Sequence, residues 1–315
     1  MWRLSTPVAF LVFNRPETTE RVFQSIRAAR PPRLLVVADG PRPDRPGEAE
    51  RCRQVRAIVE QVDWPCEVAR GYSDVNLGCR RRISSGLDWV FREVEEAIVL
   101  EDDCLPEPSF YRYCEALLAR YRDHERVMVV SGTSYDLGAR RDAYSYRFSR
   151  YPHVWGWASW RRAWRRYDVD MELWPAFRDG GELDRVHDRL LVRRFWRRMF
   201  DETHARLNDT WDYQLAFACQ ATGGLSITPC GNLVRNIGFG PAAMRTRRKN
   251  VFADMPTQAM DFPLRHPPQV LRDAKADVRT ENVQYLDHSL PGRVTQGWWM
   301  YLARRRRRRA ECRRR

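Results

Sequence analysis

Glu101, Asp102 and Asp103 stand side by side directly behind the apolar run at 97–100, in the stretch "AIVLEDDCLPEPSFYRY". Adjacent carboxylates repel one another, and taking them out of water at the end of a buried strand is costly unless a cation or donor groups compensate. Hard carboxylate oxygens of this kind hold divalent cations, and through a cation they can hold a diphosphate. A solvated turn is the alternative chemistry, since Pro106 follows closely.

Elements before the triplet bear on that choice. "PVAFLVF" (7–13), "RLLVVAD" (33–39), "CEVAR" (66–70), the run at 97–100 and "RVMVVSG" (126–132) read as strands. Helices are predicted between them at 17–29, about 47–62, 79–93 and 107–122. Strands alternating with helices predict a parallel α/β sheet, whose ligands bind outside the carboxyl ends of the strands. Asn14-Arg15, Asp39-Gly40 and the acidic triplet each fall just past such an end. On one shared rim they suit a nucleotide: Asp39 for a base or ribose, Arg15 for phosphate, carboxylates for a bridging cation.

At 315 residues the chain supports one large core with an extension. The run "VAFLVF" is too short for a signal-peptide core and meets Asn14, Arg15 and Pro16 at once, so a cytoplasmic protein is expected. Eight cysteines without a CxxC pair argue against a zinc site or a disulfide framework. The net charge of +14 is weak support for nucleic-acid binding, because nine arginines and one glutamate in 304–315 carry +8 of it. A preference for arginine over lysine pervades the whole chain.

Beyond residue 132 the alternation breaks. A strand of mixed face is expected at 143–151, and "VWGWASWRRAWRRY" (154–167) reads as a tryptophan-rich turn entering a helix. Helices are predicted at 183–206 and 211–222, short strands at 225–229 and 232–238, and an irregular wrap from 240 to 292. The tryptophans at 155, 157 and 160 are either core or a sugar-stacking wall, with Trp157 the candidate for donor contact. Arg80, Arg81 and Arg82 open a helix, where cations oppose the helix dipole; a phosphate there would compensate, with Arg80 the candidate. Asp212, near another helix start, reads from its position alone as a cap.

"PVAFLVFNRPETT", "VVADGPRPD", "NLGCRRRISSGLDWVF", "AIVLEDDCLPEPSFYRY", "WGWASW", "WDYQ", "NIGFG" and "FPLRHP", in this order between about residues 6 and 270, resemble bacterial glycosyltransferases of the GT-A fold similar to N-acetylglucosaminyltransferase I. The resemblance implies an α/β three-layer fold with a mixed, mainly parallel central sheet, a catalytic domain at 1–292 and a separate tail at 293–315. It implies a sugar-nucleotide donor, a UDP sugar, with Asp103 as direct ligand to Mn2+ or Mg2+ and Glu101 and Asp102 facing ribose, sugar and metal-bound water. Arg15 and Asp39 correspond to residues that contact the nucleotide. Asp212 corresponds to the general base of inverting enzymes, with Asp209 as fallback. Where relatives carry a histidine after "GFG", this chain has "GFGPAAMRTR", so Arg245 is expected at the diphosphate.

The tail "GWWMYLARRRRRRAECRRR" joins aromatics to arginines, a composition for contact with an anionic membrane surface. The expected function is transfer of a sugar to a glycan or lipid-linked acceptor in polysaccharide biosynthesis, at the inner face of the cell membrane and with no specific nucleic-acid partner. The rivals are a sugar nucleotidyltransferase, which would want a glycine-rich phosphate loop that "FNRPETT" lacks, and a basic RNA- or membrane-binding protein on a degenerate transferase fold.

Overall fold

The computed structural model describes residues 2–135, 143–239, 252 and 255–286. Its first half follows the apolar periodicity: β1 (Val8–Val12), α1 (Pro16–Ala29), β2 (Arg33–Ala38), α2 (Glu48–Val59), β3 (Glu67–Tyr72), α3 (Gly78–Glu93) and β4 (Glu96–Glu101). A short β5 (Cys104–Pro106), α4 (Ser109–Tyr121), β6 (Val127–Ser131), β7 (Tyr146–Ser149), β8 (Trp157–Trp160) and α5 (Arg161–Trp164) come next. The remainder holds α6 (Trp174–Asp179), α7 (Glu182–Val186), α8 (Leu190–His204), α9 (Asp212–Ala221), β9 (Leu225–Pro229), β10 (Val234–Asn236), α10 (Ala274–Thr280) and a π-helical turn, Glu281–Tyr285.

Eight strands form one mixed sheet in the order β3-β2-β1-β4-β8-β6-β9-β7, and β5 pairs separately with β10. The β1–β2, β1–β4, β2–β3 and β6–β9 pairs are parallel, whereas β8 runs antiparallel to both β4 and β6. The fold is α/β with a large, mainly parallel sheet, as the alternation predicts. Helices α1 and α4 share one face, where the Ser25 and Tyr111 hydroxyls meet at 3.0 Å. The opposite face carries α3 and α5, with Phe91 and Trp164 stacked. Helices α6 to α9 enclose a second apolar cluster around Tyr151, Trp174, Trp196 and Phe200.

Three expectations are corrected. "WASW" is not a turn but β8, a strand buried along its whole length in the sheet's interior. The helix predicted at 183–206 is two helices, because His187 is extended and the chain restarts at Leu190. The supposedly irregular C-terminal wrap contains α10, whose first turn Asp273 caps by accepting from Ala276 N–H at 2.9 Å. The tail at 293–315 and Arg245 lie outside the described residues.

Candidate functional site

Parallel pairing sets the strand ends level: Leu11 stands beside Glu101 and Val12 beside Ala38. Arg15, Asp39 and the acidic triplet therefore reach one cavity of about 360 Å3, which Asn76, Trp155, Trp211, Asp212 and Gly238 also line. The triplet occupies the tight turn from β4 into β5. β10 closes over that turn, with Ile237 N–H donating to Asp103 O at 2.8 Å.

Arg15 binds the triplet directly. Its Nη1 donates to Asp103 Oδ2 at 2.9 Å and its Nη2 makes a short contact with Asp102 Oδ1. Asp102 is buried and also accepts Phe13 N–H at 3.3 Å. Burial works against the Arg15 cation, but Asp102 and Asp103 outweigh it and hold the guanidinium charged. Burial also pushes the Glu101 carboxyl up to about 8, helped by the charges of Asp103 and Asp102 and more weakly by that of Asp212.

A cation would find carboxylate oxygens here, but no cage. Among the described residues no three His, Cys, Asp or Glu side chains form a cluster able to hold one. A Cβ on Gly238 would lie 2.2 Å from Asp103 Oδ2 and 2.7 Å from Arg15 Nη1, so only glycine lets β10's continuation pass the acidic turn. Of this donor set, Asp103 would be the carboxylate to hold a hard divalent ion, with the further oxygens supplied from outside the protein.

The first turn of α3 is satisfied by two aspartates from different loops. Asp39 accepts the N–H groups of Gly40, Leu77 and Gly78 at 2.9, 3.0 and 3.2 Å, and Asn76 Nδ2 at 3.1 Å. Asp209 accepts those of Cys79 and Arg80 at 2.9 and 2.8 Å. Carboxylates therefore fill this helix terminus, not the phosphate expected there. Asp39 lines the cavity as predicted, yet its oxygens are taken by these donors. Burial outweighs the donors and raises its carboxyl.

Arg80 does not reach the cavity; it donates to Val169 O and, at 2.9 Å, to Asp170 Oδ1. From the same run, Arg82 lines the cavity. Trp157 is likewise displaced: it is fully buried behind the cavity against Trp164 and Trp211, and Trp155 forms the wall instead. Tyr135, packed on Trp155 with ring centroids 5.6 Å apart, backs that wall. Asp212 opens α9 at the cavity's edge, where the Thr210 hydroxyl donates to Oδ1.

Reasoning from sequence missed Arg42 and Glu48. Arg42 lines the cavity, its guanidinium 5.7 Å from the Phe13 ring, while its backbone N–H and side chain bind Glu48. Glu48 is fully buried and also accepts Asn14 Nδ2 at 2.7 Å. The "DGPRPD" loop following β2, rich in turn residues, is the signal that could have marked Arg42.

No family model and no curated protein matches this chain. Among solved structures it is similar to 4-diphosphocytidyl-2C-methyl-D-erythritol synthase from Anaerococcus prevotii DSM 20548, at 8% identity and a TM-score of 0.32 over 56% of this chain and 77% of that one. It is also similar to a UDP-glucose pyrophosphorylase complexed with UDP-glucose, at 12% identity and a TM-score of 0.24 over 42% of this chain and 64% of that one. The chain thus spans just under two thirds of the pyrophosphorylase. No helix among the described residues is long and apolar enough to cross a membrane.

Proposed function

We propose that the protein is a glycosyltransferase that takes a sugar from a nucleoside diphosphate donor, UDP, and passes it to a glycan or lipid-linked hydroxyl with inversion. One observation carries the reading: Arg15, the acidic triplet and Asp212 share a single cavity at the carboxyl ends of the parallel strands.

Each residue has a task in this reading. Phe13, Arg42 and Asn76 surround the nucleobase and ribose. Arg15 meets the diphosphate with paired N–H donors. Trp155, backed by Tyr135, presents an apolar face to a sugar ring. Asp103 would hold Mn2+ or Mg2+, which neutralises charge on the leaving diphosphate when bound. Asp212 accepts the proton of the acceptor hydroxyl as its oxygen bonds to the anomeric carbon. The bond from that carbon to the diphosphate oxygen breaks, and the nucleoside diphosphate leaves with the electron pair.

A sugar nucleotidyltransferase is the competing reading. Against it, α1 opens on Pro16 with Arg15 as its cap, and no glycine-rich loop precedes this helix to cradle a triphosphate. Calorimetry with UDP tests the proposal. UDP should bind, more tightly with manganese, and Asp103→Asn should lose that gain because an amide does not replace a hard anionic ligand. Absence of UDP binding with and without manganese would overturn it.

A further inference from the structure

We propose that Arg15 is a built-in counter-cation that keeps the acidic turn closed to divalent ions until a diphosphate draws its guanidinium away. Cation and diphosphate then enter as a pair. The inference rests on the nucleotide reading above and adds an order to it.

Several features support this role. The planar guanidinium bridges Asp102 and Asp103 with one nitrogen on each, and so occupies the oxygen of Asp103 that faces Gly238. Among the described residues, the Cys104 thiol, at 3.5 Å, is what reaches the other Asp103 oxygen by hydrogen bond. A divalent ion coordinating Asp103 would meet a like charge held against the same carboxylate, and their repulsion at such range is large. Among the described residues no cluster of three ligand side chains compensates, so in this proposal the further oxygens come from a ligand. A diphosphate supplies both needs: it ligates the ion, and it gives Arg15 an alternative bidentate partner.

The backbone of Arg15 is anchored to α1, while its side chain lines the cavity. Its carbonyl accepts from the Thr19 N–H at 3.0 Å and the Thr19 hydroxyl at 2.7 Å, which anchors it to the first turn of α1. The side chain retains 20% exposure, and Gly238 packs directly on the ion pair, so the guanidinium's way out lies into the cavity.

Manganese binding to the full-length chain, followed by electron paramagnetic resonance without nucleotide, tests this. Arg15→Gln should bind Mn2+ at least about tenfold more tightly than wild type, because the competing charge is gone. Arg15→Lys, which keeps a cation but does not bridge both carboxylates, should fall between them and carries the comparison if the glutamine variant unfolds. Adding Asp103→Asn to Arg15→Gln should erase the gain. Equal or weaker manganese binding by both Arg15 variants would overturn the proposal, as would a gain that survives Asp103→Asn. Failure of UDP to bind wild type would instead defeat the nucleotide reading while leaving this comparison measurable.

Discussion

The carboxylate of Asp209 accepts the backbone N–H of Arg80 at 2.8 Å, across 129 residues of chain, and accepts that of Cys79 beside it. Together with Asp39 it satisfies four consecutive amides at the start of α3, so the loop preceding α9 and the loop following β2 share one anchor. This makes Asp209 a cap supplied from a distant loop; it also lines the cavity, so the fallback reading of it as the base is put to the test by mutation. Asp209→Ala should lower stability by about 1 kcal/mol, the usual cost of losing a cap, whereas Asp209→Asn should lose much less. Urea unfolding of the two variants checks this. If Asp209→Asn were as stable as wild type but abolished turnover, Asp209 would be a base after all.

Asp212 lines the same cavity and is the residue proposed as the base. Asp212→Asn should leave UDP affinity near wild type and slow transfer by roughly 10²- to 10⁴-fold, the usual contribution of a positioned base. Near-normal transfer in this variant would leave the residue as a helix cap only.

Glu48 gives the fold an acid limb. Burial alone would raise its carboxyl, but hydrogen bonds from Arg42 and Asn14 hold it down at about 2, against 4.5 for an ordinary glutamate. A folded-state value below the unfolded one stabilises the protein above pH 4.5, and that stability drains away as the pH falls toward 2. Its size at neutral pH is up to about 3 kcal/mol. Urea denaturation of wild type and Glu48→Gln should show a gap at pH 7 that narrows at pH 3. Parallel curves at both values would show that the ionised Glu48 contributes nothing.

Gly238 is tested by a single methyl. A Cβ there would stand 2.2 Å from Asp103 Oδ2, so either β10's continuation or the acidic turn must shift. Gly238→Ala should cost about 1–3 kcal/mol of stability, as overpacking does, and weaken UDP binding in the presence of manganese. Calorimetry and unfolding curves matching wild type would mean the close approach is not needed.

What was legible in the sequence follows from range. β1, β2 and β4 are continuous or nearly continuous apolar runs between amphipathic helices, so their ends, and with them Arg15, Asp39 and the triplet, could be placed on one rim. β8 escaped because tryptophans on a buried strand look like a loop wall until the sheet order is known. Alternation along that strand then puts Trp157 inward and leaves Trp155, before the strand, in the cavity. The choice between Arg80 and Arg82 depends on helical phase and on where Asp170 lies, which no local pattern shows. The Asp209 cap and the Arg15 bridge join residues 129 and 87 or 88 positions apart, and such contacts leave no periodic trace. α10 was hidden by its polar composition.

The decisive experiment is a screen of nucleoside diphosphate sugars with purified protein, manganese and a mixture of glycan and lipid-linked acceptors, reading the released nucleotide and the acceptor's mass. A parallel reaction of nucleoside triphosphates with sugar phosphates reads pyrophosphate. A glycosyltransferase built on this cavity releases UDP, adds one hexose-sized mass to the acceptor and loses both in Asp212→Asn. Pyrophosphate released from a triphosphate and a sugar phosphate, with no sugar transferred to any acceptor, would contradict it and make the protein a nucleotidyltransferase.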